Sequence, residues 1–355
     1  MREIGLFLCH INMYLEAKNH LLMKRFLFFI LFIFLLQACT SQSSKINGVS
    51  YVASGEPTTQ EQVQEVKNIN ANYAAVMPFG FIRDLENPEL MFNTPRQWYG
   101  ERREGVKQYI EMLQKNDVKV MLKPQIWIWH GEFTGYLKMA SEEDWQQLET
   151  SYKEFVLLYA EVAAETNIEI YCIGTELEQF TVHRPKFWKE LIAEVRKVYK
   201  GKLTYAANWD EYKRFPYWEQ LDYIGIDGYF PVSEMKTPSV EDARKGWQPW
   251  KTEMQEVSEK NKRPILFTEY GYRNIDFAGK EPWQSNQTEE GHNTKAQVNL
   301  YKAFFAEMYA EPWFAGGFIW KWFIDHKKAG GSKSNQFSPQ NKPVQLEIKA
   351  FFSEQ

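Results

Sequence analysis

The chain has 355 residues, of which 44% are hydrophobic and 25% are charged. This balance is typical of a folded globular protein and excludes intrinsic disorder, a collagen-like fibre and a multispanning membrane protein. The formal net charge is −4, so the composition lacks the excess of basic residues that is typical of a nucleic-acid-binding protein. Aromatic residues are unusually frequent, with 13 Trp, 19 Tyr and 25 Phe, which favours surfaces that stack on flat, weakly polar ligands such as sugars.

The N-terminal region, residues 1–38, is predicted to be an export signal. Met23-Lys24-Arg25, a better start than Met1, precedes eleven apolar residues and then Gln37-Ala38-Cys39. A basic start, a short apolar run and a small residue before the cut predict a secretory signal. The run is shorter than the roughly 20 residues that span a bilayer. Leu36-Gln37-Ala38-Cys39 resembles a bacterial lipobox, in which the cysteine carries lipid.

We therefore expect an exported bacterial lipoprotein, anchored through Cys39 at the periplasmic face or the cell surface. An ordinary cleaved signal with an incidental cysteine is the alternative. Residues 39–45 would be a tether and residues 46–355 the functional domain. In that domain the single cysteine, Cys172, lies in an apolar strand pattern and is predicted to fill the core. The four remaining histidines lack metal-ligand spacing, so neither a metal site nor a cofactor is predicted.

After the tether, short β-rich apolar runs alternate with longer amphipathic stretches. The predicted strands are 46–53, 73–78, 118–125, 169–174, 203–207, 223–227, 265–268 and 317–320. Predicted helices include 143–165, one that begins near Pro185, 294–309 and 344–352. Eight such units in about 310 residues predict a single (β/α)8 TIM barrel. A doubly wound open sheet is the rival, but no glycine-rich phosphate loop follows the first strand. Long loops are expected at 80–98, 127–142, 229–240 and 270–293.

Two glutamates stand where this barrel would carry chemistry. Function in a barrel collects at the C-terminal ends of the strands, and Glu176 and Glu269 follow the fourth and seventh predicted strands. Glycoside hydrolysis requires two carboxyl groups on either side of a bond, one protonated and one ionised. Environment can separate their pKa values in that way. The alternative for each glutamate is a strand-end carboxylate paired with a lysine or arginine.

Other strand ends carry polar and aromatic residues suited to sugars. Hydroxyl-binding candidates are Lys123, Gln125, Asn208 and Asp227, although Lys123 could equally pair with a structural carboxylate. Stacking candidates are Trp127, Trp129 and Trp209, with packing over the barrel favoured for Trp129. Trp145 and Trp188 lie on helical stretches and are predicted to pack. Trp322 is expected to point away from the pocket if Trp320 points into it.

Several segments together resemble glycoside hydrolase family 113, within the clan of retaining (β/α)8-barrel glycosidases. They are Tyr171-Cys172-Ile173-Gly174-Thr175-Glu176-Leu177, Leu203-Thr204-Tyr205-Ala206-Ala207-Asn208-Trp209-Asp210, Tyr223-Ile224-Gly225-Ile226-Asp227-Gly228-Tyr229-Phe230-Pro231 and Thr268-Glu269-Tyr270-Gly271-Tyr272. The resemblance extends from the first predicted strand to Pro343. Several motifs in the same order make it much more specific than any one of them.

The resemblance implies a β-mannanase that cleaves mannan or manno-oligosaccharides by double displacement. It implies that Glu176 is the acid/base and Glu269 the nucleophile. It also implies that Tyr229 hydrogen-bonds the nucleophile and that the Trp320 ring forms the floor of the subsite that binds the reacting sugar. Most of the clan has Asn at the position of Thr175, where it contacts the sugar 2-hydroxyl. Thr is usual in family 113, and its shorter side chain is compatible with an axial 2-hydroxyl. Two alternatives remain: the same chemistry on another β-glycan, and a catalytically silent carbohydrate-binding lipoprotein.

Overall fold

A computed structural model of the chain describes residues 45–285 and 291–355. The predicted signal, its lipobox, Cys39 and the tether up to residue 44 lie outside the described residues. Among the described helices, none combines the length and the apolar character needed to cross a bilayer.

Eight parallel strands close into a barrel, as the sequence predicts. They are β1 (Ile46–Tyr51), β2 (Tyr73–Val76), β4 (Lys119–Leu122), β6 (Ile170–Thr175), β7 (Lys202–Asn208), β8 (Ile224–Asp227), β9 (Ile265–Tyr270) and β10 (Phe314–Trp322). Each strand pairs with its neighbours in chain order, and β10 returns to β1. The eight predicted strands are confirmed, and the open sheet is excluded by the closure between β1 and β10.

Helices connect most of these strands on the outside of the barrel. They are α1 (Gln60–Lys67), α2 (Arg103–Gln114), α3 (Glu142–Glu165), α4 (Glu178–His183), α5 (Pro185–Val198), α6 (Val240–Asn261), α7 (Thr294–Met308) and α8 (Pro343–Phe352). Helix α3 begins where the Ser141 side chain accepts a hydrogen bond from the backbone N–H of Asp144. Pro185 occupies the first turn of α5, where its missing N–H costs nothing.

Inside the barrel a small apolar cluster fills the axis. It includes Ala75, Met121, Cys172, Leu266 and Phe318, which come from five different strands. Cys172 is fully buried, as predicted. The Phe318 ring takes up the space beside Gly48, where an added Cβ would come within 2.4 Å of it. The barrel is therefore a packed core at this level, and any ligand must bind at its mouth.

A second, two-stranded parallel sheet extends the barrel beyond its mouth and was not predicted. Strand β3 (Phe79–Ile82) pairs with β5 (Gln125–Ile128) inside stretches that the sequence assigns mainly to loops. These strands continue β2 and β4, and Pro78 and Pro124 stand at the two junctions. Proline has no N–H to donate, so it interrupts the barrel ladder and each strand resumes as a separate short pair.

Candidate active site

Glu269 lies at the end of β9 and is held by three neighbouring side chains. Lys123 Nζ contacts its Oε1 at 2.5 Å, and Gln125 Nε2 donates to the same oxygen at 3.0 Å. Tyr229 donates its phenolic O–H to Oε2 at 2.9 Å. Hydrogen bonds and a cation directed at both oxygens favour the ionised carboxylate and fix its orientation.

Lys123 lies beneath this carboxylate and has no exposed surface. Its Nζ also contacts both oxygens of Asp227, at 3.1 and 3.2 Å, and Thr268 Oγ1 donates to Asp227 at 2.7 Å. Burial alone would lower the pKa of Lys123, but the charges of Asp227 and Glu269 outweigh burial and raise it. Of the two alternatives for Lys123, the structure therefore has the ion pair, and Nζ is directed at carboxylates rather than at the pocket.

Glu176 follows β6 in a left-handed backbone conformation, with φ of 50°. Few non-glycine residues adopt this conformation unless their surroundings enforce it. Here the backbone N–H of Glu176 donates to the carbonyl of Ala206 at 2.8 Å, and its own carbonyl accepts from Thr134 Oγ1 at 3.0 Å. The next N–H, of Leu177, donates to Tyr205 Oη at 2.5 Å. These bonds hold the turn that presents the Glu176 side chain to the pocket.

A buried carboxyl group supports that turn from below. Tyr205 donates to Glu211 Oε1 at 2.9 Å, and the backbone N–H of Asn208 donates to Oε2 at 3.0 Å. Burial raises the pKa of Glu211 to about 8. Glu211 thus links the end of β7 to the tyrosine that supports Glu176.

The two site glutamates have opposite electrostatic surroundings. Burial, and then the negative charges of Asp227 and Glu269, raise the pKa of Glu176 well above its usual range. Lys123 forms ion pairs with Asp227 and Glu269, whereas Glu176 has no ion pair within the described residues. A proton taken up by this group of carboxyls therefore resides most favourably on Glu176. Glu176 is suited to donate a proton, and Glu269 to act as an anion.

Both glutamates line one pocket of about 380 Å³ at the barrel mouth. The structure brings most of the predicted site residues into its wall, namely Gln125, Trp127, Thr175, Glu176, Asn208, Asp227, Tyr229, Glu269 and Trp320. Asn208 Oδ1 is buried there and has no hydrogen-bond partner in the described part of the chain. A buried polar atom without a partner is a candidate to bind a ligand hydroxyl.

Two predicted tryptophans lie elsewhere. Trp209 does not line the pocket. Its ring stacks on Trp283, with the ring centroids 5.0 Å apart, and Trp283 is the tryptophan that lines the pocket at this position. Packing was favoured for Trp129, and this was wrong: its side chain is 61% exposed, because the residue follows β5 beyond the body of the barrel. Trp322 is fully buried and, unlike Trp320, does not line the pocket, as expected.

The sequence reasoning missed several pocket residues. Phe79, Phe133, Thr134 and Phe337 reach the pocket from loops or from the unpredicted sheet, where no periodicity identifies them. Lys321 could have been found from its position next to Trp320. It lines the pocket with its Nζ 5.1 Å from the centroid of the Trp320 ring, and burial lowers its pKa.

A closed (β/α)8 barrel whose mouth holds two carboxyl groups in contrasting surroundings, one paired with a lysine and one not, and which is surrounded by aromatic rings, has the architecture of a glycoside hydrolase. The model of Glycoside Hydrolase Family 113 matches residues 52–342 of the chain. The chain belongs to this family and is a glycoside hydrolase. No curated protein matches the sequence.

Solved structures share the fold at low sequence identity. A GH113 β-mannanase from Alicyclobacillus acidocaldarius superposes with a TM-score of 0.78 at 23% identity, covering 89% of this chain and 99% of its own. A GH113 β-1,4-mannanase gives a TM-score of 0.76 at 22% identity, covering 88% and 100%. A β-glucuronidase from Faecalibacterium prausnitzii, at 13% identity and a TM-score of 0.57, covers 87% of this chain and 49% of its own.

Proposed function

We propose that the protein hydrolyses β-mannosidic bonds of mannan or manno-oligosaccharides with retention of configuration. The observation that carries this proposal is the single pocket lined by Glu176 and Glu269 in opposite electrostatic states. Two structural neighbours described as β-mannanases support the choice of a mannan substrate. The unpartnered Asn208 Oδ1 supports binding of sugar hydroxyls in the same pocket.

In the first step Glu176 gives its proton to the glycosidic oxygen while a Glu269 oxygen attacks the anomeric carbon. The bond to the leaving sugar breaks, and a covalent glycosyl-enzyme forms. Glu176, now ionised, then removes a proton from water, and the water oxygen attacks the anomeric carbon and releases Glu269. Tyr229 and Gln125 orient the nucleophile through their hydrogen bonds, and Trp320 offers a ring face beneath the reacting sugar.

Product analysis on mannohexaose tests this function. We expect hydrolysis with β-configured products at early times, observed by proton NMR. Glu269→Gln and Glu176→Gln should each lower kcat by several orders of magnitude, because each removes a reacting group. Glu347→Gln, at an exposed surface ion pair on α8, is the matched control and should keep full activity. Unchanged activity in Glu269→Gln, or α-configured first products, would contradict the mechanism.

The two alternatives give different results in a panel of soluble mannan, xylan and β-glucan. Hydrolysis of only a non-mannan polymer would keep the chemistry and change the substrate. Binding without product release over a long incubation would indicate a silent binding protein. Both catalytic carboxyls and the Tyr229 contact favour an active enzyme over a silent one.

Export and lipid attachment at Cys39 form a separate part of the proposal, supported by the lipobox-like Leu36-Gln37-Ala38-Cys39. In bacterial cells that express the full chain, the wild-type protein should sediment with membranes. Cys39→Ala should move it to the soluble fraction or leave it unprocessed, whereas Cys9→Ala should behave as wild type. Soluble wild-type protein with an unmodified Cys39 would contradict lipidation.

A further inference from the structure

The β3–β5 sheet carries an aromatic face that leads away from the catalytic pocket. In its register Phe79 pairs with Gln125, and Phe81 pairs with Trp127. Side chains of one face recur at every second residue, so these four residues share a face. The Phe79 ring lies 6.5 Å from the rings of both Phe81 and Trp127, measured between centroids. This face begins at Gln125, which donates to the nucleophile, and continues outward without interruption.

At the outer end of this face lies a groove of about 1030 Å³, which we call the distal groove. Phe81, Met91, Trp98 and Trp129 line it. Trp98 is 56% exposed, Trp129 61% and Met91 50%. Single exposed apolar residues are common on any protein surface. Several large apolar side chains grouped together are instead typical of a binding site.

Polar groups accompany these rings. Arg83, Asp84, Arg96 and His130 lie around the distal groove, and Glu101 lies buried in its wall. Burial raises the pKa of Glu101 to about 7, so its carboxyl group is able to donate as well as accept hydrogen bonds near neutrality. Flat rings with a few polar groups at their margin are the chemistry that binds sugars, whose ring faces are apolar and whose edges carry hydroxyls.

We propose that the distal groove is an additional subsite for the glycan that the catalytic pocket cleaves, with sugar rings stacked on Trp98 and Trp129. This inference rests on the proposed function. The occupant is a β-linked glycan because the same aromatic face joins the groove to the pocket. Trp129 lies four residues beyond Gln125, or about 13 Å along an extended strand, so only a chain of several sugars reaches both.

The double variant Trp98→Ala/Trp129→Ala tests the distal groove by comparing two substrates. For soluble β-mannan, kcat/KM should fall about 10-fold, through a higher KM, because two stacking rings are lost. For an aryl β-mannobioside, too short to reach the groove, kcat/KM should stay at the wild-type value. Leu346→Ala, at another exposed apolar residue, is the control and should change neither. Unchanged mannan kinetics, or an equal loss on both substrates, would overturn the proposal.

A binding measurement separates this inference from the proposed function. In native gels that contain soluble mannan, xylan or β-glucan, the Glu269→Gln variant should be retarded by its glycan, and adding Trp98→Ala/Trp129→Ala should reduce that retardation. If only a non-mannan glycan retards the Glu269→Gln variant and is cleaved by the wild-type enzyme, the mannan assignment is wrong. The proposal for the distal groove then still holds. If retardation is equal with and without the two tryptophans, the groove proposal fails whatever the substrate. Equal thermal unfolding temperatures check that the variants are folded.

Discussion

Replacing Lys123 with Met should change both the pH dependence and the stability of the enzyme. Lys123 Nζ lies 2.5 Å from Glu269 and 3.1 Å from Asp227, with no exposed surface. Two opposite charges about 4 Å apart attract by about 4 kcal/mol at an effective dielectric constant near 20. Without this cation the acid limb of the kcat/KM profile should move to higher pH, because the charged form of the carboxylates loses its attraction to the Lys123 ammonium.

The same substitution leaves two buried carboxylates without their cation and should destabilise the fold by about 3–5 kcal/mol at neutral pH. The loss should shrink as the pH falls, because protonation of these carboxyls is then favoured more in the folded state than in the unfolded state. The assays are kcat/KM on β-mannan from pH 4 to pH 9 and urea unfolding at both ends of that range.

Lys186→Met removes a lysine whose side chain is 89% exposed and serves as the control, with no expected change in either assay. If Lys123→Met kept the wild-type acid limb and lost less than about 1 kcal/mol of stability, the ion pairs would not have the electrostatic role argued here.

Further predictions concern the nucleophile and Glu307, a buried carboxylate on helix α7. Tyr229→Phe removes the 2.9 Å hydrogen bond to Glu269 and should lower kcat by about 10- to 100-fold with little change in KM; a rise in KM alone would contradict this. Contacts with Lys251, Arg244 and Gln248 outweigh burial and lower the pKa of Glu307 to about 2. Its stabilisation is therefore complete above the usual pKa of 4.5 and is lost as the pH falls toward 2. Glu307→Gln should cost about 2 kcal/mol at pH 7 in urea unfolding, and the difference should vanish near pH 2.

The pattern of the sequence predicted the barrel because strand and helix periods are local properties. Each strand is a short apolar run and each long helix repeats apolar residues at three- and four-residue spacings, as in α3. The parallel topology then directs every strand's C-terminal end to one mouth. For that reason Glu176 and Glu269, 93 positions apart in the chain, could be placed on one pocket from sequence alone.

The β3–β5 sheet could not be predicted in this way. Its strands have four residues each and follow a proline, and a run that short has no readable period. Trp129 was consequently assigned to packing, although the continuation of β5 carries it clear of the barrel into the distal groove.

The sequence by itself determined the order of the strands and the positions of the two glutamates at strand ends. Each of these depends on residues that are close together in the chain. The resemblance implied that Glu176 is the acid/base, but the physical reason for it lies in the tertiary structure. Lys123 reaches Asp227 and Glu269 across 104 and 146 positions of the chain, and it leaves Glu176 without an ion pair among the described residues. Charge interactions through the buried interior act over distances in space, and the chain must fold before those distances exist.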